Sequence, residues 1–578
     1  MISFKQAFIT TAVSSCLLLG CANATPESQE PVTVLQSQRM LQLSPDTAVW
    51  GAVNDGTQEL KLWLQRKDSV QPLWQGEITS RVVEDICFYE SVENQQLSVF
   101  LIGGRGGADQ LLLRQDQQWL AEPLRIRELN IPYDSTACVV HQGTLYIAEG
   151  DQAIWAYQAE PEADDGRQLV AVKSPFGAIE AELKALEIMP DGRLLALEEE
   201  PPRLLEFYPH DDGYTMAHAY PVAGFDELQD IQLVGDNQVV LSVDETGARS
   251  DVIQLRPYSG QPLAVEAVTP VLQVEATLET EPASRRGDVI DDPAVWVHPE
   301  HPEQSRILAT DKRIGLMVYD MHGRLQQELT IGRLNNVDVR GQLAAASLRN
   351  DDSIQLFHIS ANGELSLAAN IPTNLTEIYG LCMGYHDATQ TTSVYVNSKT
   401  GQIQHYVVTP EGGELVRELR VPSQPEGCVV DDAQQRLFVG EEDEAVWLFD
   451  ALATGQTQGE PIILVAEHPE LVDDIEGLAY AVVDEQPLLF VSSQGNDSYI
   501  VFEGQAPWNL LAHFRIRTNS ELGIDGTSET DGLEVTTQSL GAGFEQGALL
   551  VQDGRKRMPE AGQNVKLVPL ERVLALFK

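Results

Sequence analysis

Cys428-Val429-Val430, followed by Leu437-Phe438-Val439-Gly440-Glu441-Glu442-Asp443-Glu444-Ala445-Val446-Trp447, repeats an earlier stretch of the same chain, Cys138-Val139-Val140 followed by Leu145-Tyr146-Ile147-Ala148-Glu149-Gly150-Asp151-Gln152-Ala153-Ile154-Trp155. A second pair is Ile86-Cys87 with Ser98-Val99-Phe100 against Leu381-Cys382 with Ser393-Val394-Tyr395. A third is Asp46-Thr47-Ala48-Val49-Trp50 against Asp292-Pro293-Ala294-Val295-Trp296. The three pairs are collinear, which points to duplication, with halves of roughly 39–270 and 275–578 joined near Thr269-Pro270. Short apolar runs such as Leu488-Leu489-Phe490-Val491 alternate with Asp191-Gly192, Asn362-Gly363 and Gly412-Gly413 turns. That rhythm predicts short antiparallel strands in an all-β repeat architecture. Trp50 precedes Cys87 by 37 residues and Trp296 precedes Cys382 by 86, so the first half lacks about one four-stranded propeller blade.

The chain has 578 residues, 43% of them hydrophobic, enough for real cores and against global disorder. Its formal charge is −49, from 38 Lys and Arg against 87 Asp and Glu. Such a balance excludes nucleic acid as the main partner and an anionic membrane surface as a docking site. Met1 to Gly20 reads as an export signal, with Lys5 ahead of an apolar run. Leu18-Leu19-Gly20-Cys21 resembles the lipobox of bacterial lipoproteins, which implies cleavage before Cys21 and acylation of its thiol; the other reading is a secretory signal cut near Ala22-Asn23-Ala24. Residues 21–38 read as a polar tether. The expected protein is exported, periplasmic, at the cell surface or secreted, with a lipid anchor as its one membrane contact.

Carboxylates gather in the second half beside glycines and buried-type residues: Asp291-Asp292-Pro293, Glu426-Gly427-Cys428, Asp474-Ile475-Glu476-Gly477, Thr530-Asp531-Gly532. A radial array brings equivalent strand ends to one end of its channel. Carboxylates converging there cannot all stay ionised without cations. An excess of hard oxygen ligands selects Ca²⁺, and zinc is disfavoured because the chain has no His-Glu-x-x-His and no Cys/His cluster of zinc spacing.

These residues carry a resemblance. Asp288-Val289-Ile290-Asp291-Asp292-Pro293-Ala294-Val295-Trp296 and Asn335-Asn336-Val337-Asp338-Val339-Arg340 resemble the two signatures of the β-propeller phytases. The similarity runs through Tyr379-Gly380, Glu441-Glu442-Asp443-Glu444-Ala445, Ser492-Ser493-Gln494-Gly495-Asn496 and Val568-Pro569-Leu570-Glu571-Arg572, over about 275–578. It implies a six-bladed β-propeller at the C-terminus, preceded by a degenerate, related propeller-like β domain. It further implies a monomeric phosphoric monoester hydrolase, a 3-phytase, that uses several Ca²⁺ ions on phytate, the hexakisphosphate of inositol. By position the implied calcium ligands are Glu279, Asp291, Asp292, Glu426, Glu442, Asp474, Glu476, Asp525 and Asp531. Lys312, Arg340 and Tyr379 match residues that hold the phosphate being cleaved, and Arg313 and Lys399 those lining the neighbouring phosphate site. Asp292, Glu426 and Asp531 join Lys312, Arg340 and Tyr379 in the implied catalytic set, with direct attack on phosphorus by calcium-activated water.

The chain departs from the family in two places. Thr400 stands where the family has a Glu, and Arg555-Lys556-Arg557-Met558-Pro559 replaces a stretch supplying Asn and Asp to a structural calcium, which implies one ion fewer. In the first half Thr136 corresponds to Glu426, Gly150 to Glu442, Pro45 to Asp291, Glu84 to Tyr379 and Gly104 to Lys399, and the missing blade is the one expected to carry the Asn-Asn-Val-Asp signature. That half is therefore expected to be inactive. Cys87/Cys138 and Cys382/Cys428 are either small buried residues or one disulfide per domain. Two rival functions are a non-catalytic calcium-stabilised binding propeller and another calcium-dependent propeller hydrolase, such as a lactonase.

Overall fold

The computed structural model describes residues 35–577 apart from 55, 79, 212, 225–227, 243–249, 259, 261–270 and 473. The export signal, the lipobox with Cys21, most of the tether and the 269–270 junction lie outside the described residues. The expectation of an all-β chain is met: eleven sheets follow one another, and the described helices are short, such as Leu570–Leu574.

The C-terminal half forms six blades of four antiparallel strands each, the fifth extended by a parallel outer strand, Leu272–Glu275. Their innermost strands are Ile290–Trp296, Leu334–Arg340, Ile378–His386, Pro425–Asp431, Ile475–Val483 and Leu533–Thr536, for blades 1 to 6. Each packs against the next, and the sixth returns to the first. Blade 6 takes its fourth strand, Leu278–Glu279, from the start of the domain, pairing Glu279 with Lys566. Building the sixth blade from both chain ends ties the ring shut. Both faces of each blade are covered by neighbours, so strands such as Val394-Tyr395-Val396 are buried residue after residue. Trp296, Leu316 and Val318 of blade 1 meet Leu334, Val337 and Phe357 of blade 2, and similar seams separate the others. Each such side chain contributes about 1.5–3 kcal/mol by leaving water.

The first half contains five sheets, the fifth with three strands, among the described residues. It starts at Leu35, inside the stretch expected to be tether. All four cysteines lie on innermost strands, and Cys87 is disulfide-bonded to Cys138 and Cys382 to Cys428, with Cα–Cα distances of 6.1 and 5.6 Å. The third repeat pair is corrected. Asp292–Trp296 is on an innermost strand, whereas Thr47–Asn54 is the second strand of its sheet. The first sheet of the N-terminal half therefore aligns with blade 2, the blade absent among the described residues is the counterpart of blade 1, and Pro45 is not equivalent to Asp291. A shared Ala-Val-Trp is too short to distinguish two buried strands of one blade.

Candidate active site

Five innermost strands of the C-terminal domain share one irregularity. Pairing with the second strand slips between Ile290 and Pro293, Leu334 and Val337, Ile378 and Leu381, Pro425 and Cys428, and Ile475 and Leu478. Each bulge re-aims the residues within it. Its first residues are Asp291, Asn335, Tyr379, Glu426 and Glu476, and Asp531 just before Leu533 completes the set in blade 6. The second bulge residue is often glycine for a steric reason: a Cβ at Gly380 would lie 1.9 Å from the Glu426 carbonyl oxygen, and one at Gly427 2.6 Å from that of Glu476. Neighbouring bulges thus pack backbone to backbone, which draws the six side chains to one mouth of the channel.

A second set comes from the residue after each second strand. Antiparallel pairing returns that position to the bulge. Lys312 N donates to Val289 O at 2.7 Å, Arg349 N to Arg333 O at 2.8 Å, Lys399 N to Glu377 O at 3.2 Å and Glu442 N to Gln424 O at 3.0 Å. The mouth thereby gains Lys312, Arg349, Lys399 and Glu442.

The acids and bases are interlocked. Lys312 Nζ lies 2.8 Å from Asp288 Oδ1, 3.0 Å from Asp531 Oδ2 and 3.3 Å from Asp291 Oδ2. Asn335 Nδ2 donates to Glu426 Oε1 at 2.7 Å, and its Oδ1 accepts from Arg349 Nη1 at 2.9 Å. Lys399 Nζ sits 4.1 Å from the centre of the Tyr379 ring, with the Arg349 guanidinium 5.4 Å away. Gln424 Nε2 bonds both oxygens of Glu442, at 2.6 and 2.8 Å. Gln494 donates to Asp531, and Gln494 N to Asp474 O at 3.0 Å, which places Asp474 beside the cup. Asp292 turns toward the channel, where Oδ2 accepts from Val337 N at 2.9 Å. Arg313 is exposed at the turn beside Lys312, its N–H on Asp311 Oδ1 at 2.7 Å.

Glu426, Glu442 and Glu476 bring carboxylate oxygens within 4.8 Å of one another. Burial pushes Glu442 up to about 7, against the Gln424 bonds and with help from Glu426 and Asp474. Burial also raises Asp291 to about 7, opposed by Lys312 and reinforced by Glu426. Glu476 and Asp531 stand well above the usual carboxylate range, again through burial first and Glu426 among the charges. Glu426 Oε2 is buried without a hydrogen-bond donor, and Asp291 Oδ2 has the Lys312 ammonium 3.3 Å away. Compressed carboxylates with an unpartnered oxygen among them are a donor set that fits a hard divalent cation.

Three expected residues sit elsewhere. Arg340 lies at the far end of its strand, opposite Leu343, with Nε on Asp432 at 3.0 Å and Nη1 on Asp338 at 2.9 Å. It lines the channel below the cup with Asp338 and Glu534. The cation that the fold brings to Asn335 and Tyr379 is Arg349, which the sequence reading missed. The signal that finds it is positional: like Lys312 and Lys399, Arg349 follows a second strand. Glu279 and Asp525 belong to a separate cluster, where Lys556 Nζ is 2.5 Å from Glu279 Oε1 and Lys566 Nζ 3.0 Å from Asp525 Oδ1. Ammonium groups already supply the positive charge there, so these two carboxylates do not fit a calcium.

In the first half the corresponding slips fall at Glu84, Thr136 and Lys184, and Gly104 and Gly150 follow the second strands. An acid, a hydroxyl and a base at those positions build no carboxylate cup.

Comparisons with known proteins bear on the family. A family model described as Phytase matches residues 11–193 and 251–577. A 3-phytase of Bacillus subtilis (strain 168) is 36% identical over 325 residues, covering 52% of this chain and 84% of that protein. The crystal structure of the computationally designed Ika8 protein aligns with 75% of this chain and 96% of its own at 13% identity, with a TM-score of 0.27, too low to bear on the fold. With the family model spanning both halves, the chain belongs to the phytase family.

Proposed function

We propose that the C-terminal propeller hydrolyses phosphate monoesters of phytate, with divalent calcium held in the cup. The observation that carries this reading is the double set of positions at the mouth. Bulge residues supply Asp291, Glu426 and Glu476, Asp531 precedes the sixth inner strand, strand-end residues supply Lys312, Arg349 and Lys399, and both sets face one volume. Glu426, Glu442, Glu476, Asp474, Asp291 and Asp531 are the residues that would hold calcium, with Asp292 at the channel side. When bound, calcium supplies the positive charge that an acidic cup needs to accept a polyanion, and it acidifies attacking water.

The chain's own groups account for the rest. Lys312 and Arg349 bind and orient the oxygens of the phosphate under attack, where they offset charge developing on the transferring group. The Tyr379 ring fixes the directions of Arg349 and Lys399. Lys399 and the exposed Arg313 face a neighbouring phosphate of the same ring. Water attacks phosphorus and gives up a proton to a carboxylate, the bond from phosphorus to the inositol oxygen breaks, and the leaving oxygen takes that proton from the carboxylate and departs as the alcohol. A buried carboxylate such as Glu426, with Oε2 unpartnered, takes the proton of the water. Asn335 holds the other Glu426 oxygen and Arg349 together, so acceptor and cation keep one geometry.

The N-terminal domain is read as inactive and supporting, and the chain as an exported monomer anchored through Cys21. Incorporation of labelled fatty acid, lost in Cys21→Ser, tests the anchor. Phosphate release from phytate by the full chain, absent in Glu426→Gln, tests the function. A lactonase or a binding propeller releases no phosphate, and residual release by Glu426→Gln would place activity outside this cup.

A further inference from the structure

The segment Arg555 to Met558 follows the middle strand of blade 6, Ala548–Asp553, and sends alternate side chains in opposite directions. Lys556 turns into the C-terminal propeller, to Glu279 Oε1 at 2.5 Å and the Met558 carbonyl at 3.0 Å, with Asp525 Oδ1 3.8 Å away. Its side chain is 5% exposed. Its neighbours turn to the N-terminal domain. Arg555 Nη2 donates to Glu162 O at 3.2 Å. Arg557 donates through Nη2 to Ala163 O at 2.8 Å and through Nη1 to Asp165 Oδ2 at 2.9 Å. Met558 packs against Leu112 and Ile126 of the N-terminal domain.

The receiving loop, residues 160–165, is built in advance. Arg127, fully buried, bonds Asp165 at 2.8 Å and the carbonyls of Gln158, Glu160, Ala163 and Asp164 from within its own domain. From that loop Glu162 Oε1 accepts from Gly526 N at 2.8 Å, next to Asp525. Acids from one domain and bases from the other therefore enclose the Glu279–Asp525 cluster.

We propose that residues 555–558 are an interdomain anchor. Lys556 satisfies Glu279 and Asp525 internally, and the flanking arginines and Met558 bind the N-terminal domain. At this edge the partner of the catalytic propeller is then the chain's own N-terminal domain rather than a divalent ion. A neutral residue in place of Lys556 would leave the half-buried Glu279 without its ammonium beside Asp525, which Lys566 alone would then hold, the arrangement that recruits a cation. Without the anchor, the acidic loop would lose Arg555 and Arg557, leaving Arg127 to hold Asp165.

Calorimetric calcium titration of the full chain tests the first part. Glu279→Gln is expected to bind as many calcium ions as the parent, and Lys556→Asn one more. A count lower by one in Glu279→Gln, or an unchanged count in folded Lys556→Asn, overturns the proposal. Hydrogen exchange tests the second part. Arg557→Glu should speed exchange in both 160–165 and 524–527, and adding Asp165→Arg should restore protection; unchanged exchange in Arg557→Glu overturns the anchor. The cluster is separate from the cup, so a parent chain inactive on phytate would defeat the functional reading and leave these counts and exchange rates to be judged on their own.

Discussion

Arg349→Ala and Arg340→Ala separate two roles that the sequence alone merges. Arg340 adjoins the Asn335-Asn336 signature, yet register places it opposite Leu343 at the far end of the strand, while Arg349 follows Leu348, the partner of Leu334. Arg349 Nη1 is 2.9 Å from Asn335 Oδ1, and Asn335 is 2.7 Å from Glu426. If Arg349 stabilises charge on the transferring phosphoryl group, its loss should cost about 2.7–4 kcal/mol, or roughly 10²–10³ in kcat, as for other preorganised donors. Arg349→Lys keeps the charge but not the planar fork, and should recover part of this. Arg340→Ala strips Asp338 and Asp432 of their guanidinium in a part-exposed channel. The loss should fall below the roughly 3–5 kcal/mol of a fully buried pair, so the variant should melt lower yet keep most of its turnover while folded. The assay is initial phosphate release from phytate at saturating calcium, with thermal melts of the same samples. A folded Arg340→Ala that loses at least tenfold in kcat, beside a near-normal Arg349→Ala, would refute the assignment.

Other consequences follow from the same geometry. Gly427→Ala forces a methyl within 2.6 Å of the Glu476 carbonyl, so the bulges of blades 4 and 5 must separate; kcat should fall at least tenfold, by about 1.4 kcal/mol or more in the barrier, and unchanged kinetics would deny that the packed bulges set the site. Cys382→Ser opens a 46-residue disulfide loop and should lower unfolding free energy by about 4 kcal/mol on the chain-entropy estimate, read by urea denaturation. His405 is buried, its Nε2 2.8 Å from Ser393 Oγ, and burial with Arg417 nearby depresses it to about 3. A neutral histidine favoured by folding contributes stability above its unfolded value near 6.5 that is lost as pH falls toward 3. Between pH 6.5 and 4.5 the parent should lose about 2–3 kcal/mol that His405→Gln does not, and parallel acid titrations of stability for the two chains would remove this account.

Much of the site was legible because the bulge places acid and glycine side by side in sequence, as in Glu426-Gly427 and Glu476-Gly477. Lys312 and Lys399 came from the resemblance, by position. Arg349 was not, because its relation to Asn335 runs across a hairpin, and nearness in sequence favoured Arg340. Glu279 and Asp525 were assigned to calcium by resemblance. Lys566, which satisfies Asp525, comes from the strand that pairs with Leu278–Glu279, a closure visible only once the ring is formed. The Asp46–Trp50 repeat misled for a related reason: buried strands of one blade share composition, and only pairing order tells an inner strand from its neighbour.

The central claim is that the cup accepts a polyphosphate only with divalent cations in it. Phosphate release from phytate should be measured on the full chain after thorough chelation, and again as calcium is returned. The account predicts negligible release by the demetallated protein and recovery on adding calcium; equal release in both states would contradict it.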